Sequence, residues 1–241
     1  MSTSTSPVAF ATTRWTLVFQ TGGGDAPAQR ALEELCRIYW KPLYAYVRRR
    51  GYARADAEDL TQDFFARLLQ RHDFAAGLDA GNGCFRAFLL ALLKHHLANA
   101  RDHDSRQKRG GGIPALSLNW ADAESLLERI GDTAPAPDAA FDHGWALALL
   151  ECVLERLREE WECKGKAVLF DVIKVFLTPE RADASYADAA HRAGVDEGTL
   201  RVAAHRLRRR YRELLKEEIA QTVKDSAMVD EELRALMQAF H

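Results

Sequence analysis

Apolar residues recur at intervals of three and four along most of the chain, and the strict alternation of a half-buried strand is almost absent. That spacing predicts an all-α fold. Helices are expected over about 28–50, 54–70 and 84–106, then over about 141–162 and 166–177, with more helix inside Ser185 to Leu215. Pro42 falls within the first and is expected to bend or split it, because proline removes a backbone donor. Gly51 suits that helix's C-terminal cap. Gly22-Gly23-Gly24 ends an opening segment whose docking residues would be Trp15, Leu17 and Phe19. Gly110-Gly111-Gly112, Pro114, Pro135 and Pro137 punctuate a later stretch, read as a linker with a short helical turn near 121–129. The expected organisation is two small helical domains, 26–107 and 141–223, joined by a long linker, 108–140. They are flanked by an extension, 1–25, and a tail, 224–241. In the tail, Val229, Leu233, Leu236, Met237 and Phe240 fall at helical spacing. It is expected to be helical, to pack on the second domain or act as a regulatory tail, and to be dispensable for recognition.

Composition narrows the function. Hydrophobic residues are 47% and charged residues 28% of the 241, an ordinary globular balance. No apolar run approaches the roughly 18 residues of a membrane span. MSTSTSPVAF has no basic segment followed by an apolar core, so a cytoplasmic protein without membrane contact is expected. Cys36, Cys84, Cys152 and Cys163 are widely spaced and form no CxxC pair, which points to reduced thiols. His95, His96 and His103 lack a matching Cys or carboxylate set at ligand spacing, so neither metal nor other cofactor is expected. The triple glycine is not followed by Lys-Ser/Thr, and no nucleophile–base motif stands out, which argues against an enzyme. A net charge of −2 would by itself argue against nucleic-acid binding. The charge is segregated, however: Arg201 to Lys216 holds six arginines and one lysine against Glu213 alone, and Asp56 to Asp63 is acidic. A basic face and an acidic face suit two different partners.

The densest local signal is SYADAAHRAGVDEGTLRVAAHRLRRRYRELL, Ser185 to Leu215. A short helix to about Arg192 buries Tyr186, Ala189 and Ala190. Gly194 breaks it where an interhelical turn needs positive φ. Val195 plugs the angle, and Asp196 is placed to cap the next helix by accepting from N–H groups around Thr199. Leu200, Ala203, Leu207, Tyr211 and Leu214 make that helix's core stripe. Thr199, Arg201, Val202, His205, Arg206, Arg208 and Arg209 lie largely off it, as on a helix that enters a DNA major groove. Arginine can pair bidentately with guanine, and Thr or Val can meet a thymine methyl.

A second signal is DAEDLTQDFFARLL, Asp56 to Leu69. Ala57, Leu60, Phe64 and Leu68 form its apolar stripe, while Asp56, Asp59, Gln62 and Asp63 gather elsewhere. By spacing alone this is a surface helix whose acids favour the positive end of the helix dipole. The next helix, from Phe85, has core residues Phe85, Phe88, Leu89, Leu92, Leu93 and Leu97. Its polar side includes Arg86, Lys94, His95, Asn99, Arg101 and Arg106.

These segments resemble extracytoplasmic-function sigma factors. SYADAA, Gly194-Val195 and GTLRVAAHRLRRRYRELL are similar to the family's region 4, and DAEDLTQDFF to its region 2. TRWTLV, YWKPLYAYVRRRGY and QKRGGG look like a large, long-linker subgroup, so the resemblance spans about Thr13 to Val223. It implies a region 2-like bundle and a region 4-like helix-turn-helix that together direct RNA polymerase to promoters. Thr199, Arg201, Val202, His205 and Arg206 would lie nearest the bases of the minus-thirty-five element, with Arg208 and Arg209 beside them. Asp56, Asp59, Gln62 and Asp63 would meet the clamp helices of the polymerase's largest subunit, and the polymerase flap would be a further contact. Arg86, Lys94, His95, Asn99, Arg101 and Arg106 would serve minus-ten reading and melting, with Asn82 in the loop that captures a flipped base. Phe88 stands where many relatives have Trp. The linker would run along the polymerase surface into its active-site and RNA-exit channels. A monomer is expected, with core polymerase and promoter DNA as partners and room for an anti-sigma factor. The rival reading is a stand-alone helix-turn-helix regulator that binds DNA alone and dimerises through the tail.

Overall fold

The computed structural model describes residues 14, 18, 26–70, 83–104, 118–131, 136–177 and 185–240. Nine α-helices occur among them: α1 Ala26–Arg49, α2 Arg54–Gln70, α3 Phe85–Asp104, α4 Trp120–Ile130, α5 Pro137–Cys163, α6 Ala167–Ile173, α7 Tyr186–Ala193, α8 Glu197–Ala220 and α9 Val229–Gln238. Short 3-10 turns follow α6 and precede α9. The described residues contain no strand, only one isolated bridge between Cys84 and Val223, so the all-α expectation holds. No helix among them is long and apolar enough to cross a membrane.

The chain divides into two compact units, Met1–Ala148 with Ile219–His241, and Leu149–Glu218. In the first, α1 runs unbroken through Pro42 rather than splitting there. Leu32, Leu35, Tyr39, Leu43, Tyr44 and Val47 are almost fully buried, because α2, α3 and α4 contact α1. Each such side chain contributes roughly 1.5–3 kcal/mol on burial. Tyr39 meets Phe85 edge-on at 5.1 Å, and Trp120 packs on Trp40 and Tyr44 at 5.7 and 5.5 Å.

The helical turn expected near 121–129 within the linker forms as α4 and is longer and packed: Ala123, Leu126 and Ile130 form a buried stripe on it, Tyr44 donates to Glu124, and Arg49 donates to the Gly131 carbonyl. Glycine and proline around it obscured a three–four spacing that was there to be read. The remainder of that linker, 105–117 and 132–135, lies outside the described residues, as does the opening segment with Trp15, Leu17 and Phe19. The tail, expected to pack on the second domain or act as a regulatory tail, is grouped with the first unit, which corrects the first of these alternatives. The Phe85 N–H donates to the Thr222 carbonyl at 2.8 Å, and the Lys224 N–H to that of Gly83 at 2.9 Å. The division between the units falls inside α5, at 148/149, not at 140/141.

The second unit is built on Val153 and Leu157 of α5, Phe170 and Ile173 of α6, Phe176, Ala189 and Ala190 of α7, and Leu200, Ala204, Leu207 and Leu214 of α8.

Candidate nucleic-acid interface

The two helices expected within Ser185 to Leu215 form, and each end has an identifiable cause. The Ser185 hydroxyl accepts from the Asp188 N–H at 3.1 Å and caps α7. At the far end Gly194 sits at φ 67°, a region costly to residues with a Cβ. Its N–H bonds the His191 carbonyl at 3.2 Å, and the Val195 N–H reaches back to Ala190 at 3.1 Å, the paired bonds of a Schellman cap. Asp196 accepts from the Thr199 N–H at 2.8 Å and from its hydroxyl. Those bonds, the hydroxyl's first, hold its carboxyl below the usual aspartate range.

On α8, Leu200, Ala203, Leu207 and Leu214 turn inward as expected, joined by Ala204, while Tyr211 is half-buried. Thr199, Arg201, His205, Arg206 and Arg209 are exposed, and Val202 is 51% exposed. Arg201 pairs with Glu197 at 2.6 Å and lies 4.4 Å over the Tyr186 ring. Arg209 pairs with Glu213 at 2.9 Å.

Arg208 departs from its expected place at the DNA face. Its Nε donates to the Phe176 carbonyl at 2.9 Å and its Nη2 to the Tyr186 hydroxyl at 2.7 Å. Tyr186 itself stacks on Phe176 at 4.2 Å. Arg208 is therefore a tie between α8, α7 and the turn after α6. Arg210, which the pattern analysis did not single out, grips Glu160 of α5 at 2.6 Å and Glu217 at 2.9 Å. Only the fold brings Glu160 to it, from 50 positions away.

The acidic helix α2 is buried more widely than expected. Ala57, Phe64 and Leu68 are inside, but so are Thr61, Phe65 and Ala66, and Leu60 is half-buried. Asp56 and Asp59 are exposed, while Gln62 and Asp63 are half-buried. Asp63 pairs with Arg67 at 2.8 Å and lies 3.6 Å from His96 Nε2, too far for a hydrogen bond. Burial, more than the opposing pull of Asp63, pushes the His96 pKa down.

The residues expected to read and melt DNA are divided by the structure. His95 and Asn99 are exposed and border a cavity of about 410 Å³ with Phe64, Arg67 and His96. Lys94 is exposed and pairs with Asp138 at 2.8 Å. Arg86 is not at the surface in the manner expected. Its side chain is 18% exposed, pairs with Glu232 at 3.2 Å and with Asp142, and stacks 4.6 Å over Trp145. It serves the interior of its unit, because both carboxylates converge there. Asn82, Arg106 and the Arg101 side chain lie outside the described residues.

No family model matches the chain, and no match is found among curated proteins or solved structures.

Proposed function

We propose that the chain is an RNA polymerase sigma factor of the extracytoplasmic-function type, which binds core polymerase and directs promoter-specific transcription initiation. The observation that carries this reading is the α7–α8 pair. A glycine turn and an aspartate cap present Thr199, Arg201, Val202, His205, Arg206 and Arg209 on the exposed side of one helix. Such a helix fits a major groove. Support comes also from the second motif: Asp56 and Asp59 stand exposed on α2, available to a basic protein surface. The resemblance of both segments, in the family's order, joins the two into one activity.

In this reading each unit makes a weak DNA contact, and polymerase holds the two sites at a fixed spacing, so affinity rises through effective concentration. The chain alone should then bind promoters poorly. The test is in vitro transcription with core polymerase and the purified chain, followed by start-site mapping. Defined starts that depend on the chain are expected. Absence of both start sites and core association would refute the proposal, and tight sequence-specific gel shift without polymerase would favour a stand-alone regulator.

A further inference from the structure

We propose that the turn at Lys164–Lys166 is a backbone-phosphate clamp for the duplex whose major groove receives α8, an inference that rests on the DNA-binding reading above. Both border one groove of about 800 Å³. Thr199, Val202 and Arg206 of α8 line it, as do Trp161 of α5 and Lys164 and Lys166 of the turn. A duplex seated against Val202 and Arg206 would lay one sugar–phosphate strand along this groove.

The turn is built to hold its lysines in place. Gly165 sits at φ 67°; its N–H bonds the Glu162 carbonyl at 2.8 Å, and the Lys166 N–H bonds that of Trp161 at 2.9 Å. These are again the two bonds of a Schellman cap. The ammonium groups on either side of Gly165 therefore spring from a fixed backbone.

Charge identifies the occupant. Asp196 is the one acid among the groove's lining residues; its bonds from Thr199 fix it as the cap of α8 and leave its charge in place. Of the two acids that flank Trp161 in sequence, Glu160 pairs with Arg210 at 2.6 Å and Glu162 with Arg158 at 2.7 Å. Lys164 stands 4.0 Å from Glu160, a loose second claim on it. Among the described residues no carboxylate lies within ion-pair distance of Lys166 or Arg206. Arg201, Arg209 and Arg210 carry carboxylate partners, so much of the positive charge of α8 is locally neutralised. The uncommitted cations at the groove are Lys166 and Arg206, and the half-buried Trp161 with the exposed Val202 offers apolar surface to sugar and base methyl. A polyanionic strand with apolar sugars fits both features.

The test uses the full chain, fluorescence anisotropy and a mixed-sequence duplex of about 30 base pairs, titrated at several salt concentrations. Each phosphate contact steepens the log–log salt dependence by about 0.9, so Lys164→Ala with Lys166→Ala should lower the slope by about 1.8. Between roughly 50 and 200 mM salt the native chain should then lose about 12-fold more affinity than the variant. Lys164→Arg with Lys166→Arg should keep the native slope. If the alanine variant keeps the native slope while Arg206→Ala weakens binding, the clamp is overturned and the DNA-binding reading stands. If the native chain does not bind the duplex even at low salt, the clamp falls, while the sigma-factor reading, which expects weak binding by the chain alone, stands or falls on the transcription assay. An unchanged slope with lost core-polymerase co-purification would assign the groove to a protein and overturn the clamp.

Discussion

Arg206 and Arg208 lie two positions apart in an arginine-rich run, yet the fold gives them different work. Arg206 is exposed and has no carboxylate at ion-pair distance among the described residues. Replacing it with alanine should weaken promoter recognition by roughly 1–3 kcal/mol if it pairs with a base edge and leave the melting temperature unchanged. Arg208→Ala removes bonds to Phe176 and Tyr186. Hydrogen bonds from a charged donor are worth about 1.5–3 kcal/mol, so this variant should lose stability of that order in urea denaturation. Equal stabilities for the two variants would undo the distinction. His96 supplies a pH-dependent case. Its folded pKa is depressed, chiefly by burial, with Asp63 opposing and Arg67 and His95 reinforcing the shift. The unfolded chain, with histidine near about 6.5, therefore binds the proton more readily. The stability this group contributes is full above that value and falls as pH drops through the folded pKa. His96→Gln should accordingly show a smaller loss of melting temperature than the native chain as pH falls through this window. An identical acid limb would mean that His96 titrates normally.

At the level of elements, α7, the turn and α8 were readable in the sequence because each cause is local: Ser185 and Asp196 cap helices three residues away, and Gly194 takes the left-handed turn that follows α7. Helix α4 was underread for the opposite reason. Its stripe of Ala123, Leu126 and Ile130 is short, and its worth depends on Tyr44, Ala45 and Trp40, some 80 positions earlier. Arg86 was misread as part of a basic DNA face, because nothing local marks Glu232, in the first turn of α9, as its partner; only a contact across 146 positions brings them together. The acidic helix α2 yields a prediction of its own. Asp59→Arg with Asp63→Arg changes one exposed and one half-buried side chain and leaves Ala57, Phe64, Phe65 and Leu68 untouched. It should abolish co-purification with core polymerase while helical content and cooperative unfolding persist. Retained co-purification would remove α2 from the polymerase contact.

For the whole chain, the tail raises a sharper question, because its place in the first unit argues against the expectation that it is dispensable. The segment from Thr222 onward closes over the start of α3 by two backbone hydrogen bonds, brings the buried Leu236 into the first unit, and sends Glu232, 6% exposed at its side chain, to Arg86. Removing one partner of a buried ion pair typically costs about 3–5 kcal/mol, since the other charge is left without compensation. Asp142 remains beside Arg86 and is 39% exposed, so Glu232→Ala should fall near the lower end, about 3 kcal/mol. Arg86→Ala with Glu232→Ala should cost less than the sum of the single changes, because contacting partners are not additive. Deleting the chain from Lys224 should cost more than Glu232→Ala, because the Gly83 hydrogen bond and Leu236 are lost as well. Promoter recognition should then fail through the first unit, although the deletion leaves α7 and α8 intact. Urea denaturation of the native chain, the two single variants, the double variant and the deletion measures these stability costs directly. A deletion variant as stable as the native chain would show that the tail lies on α3 without holding it.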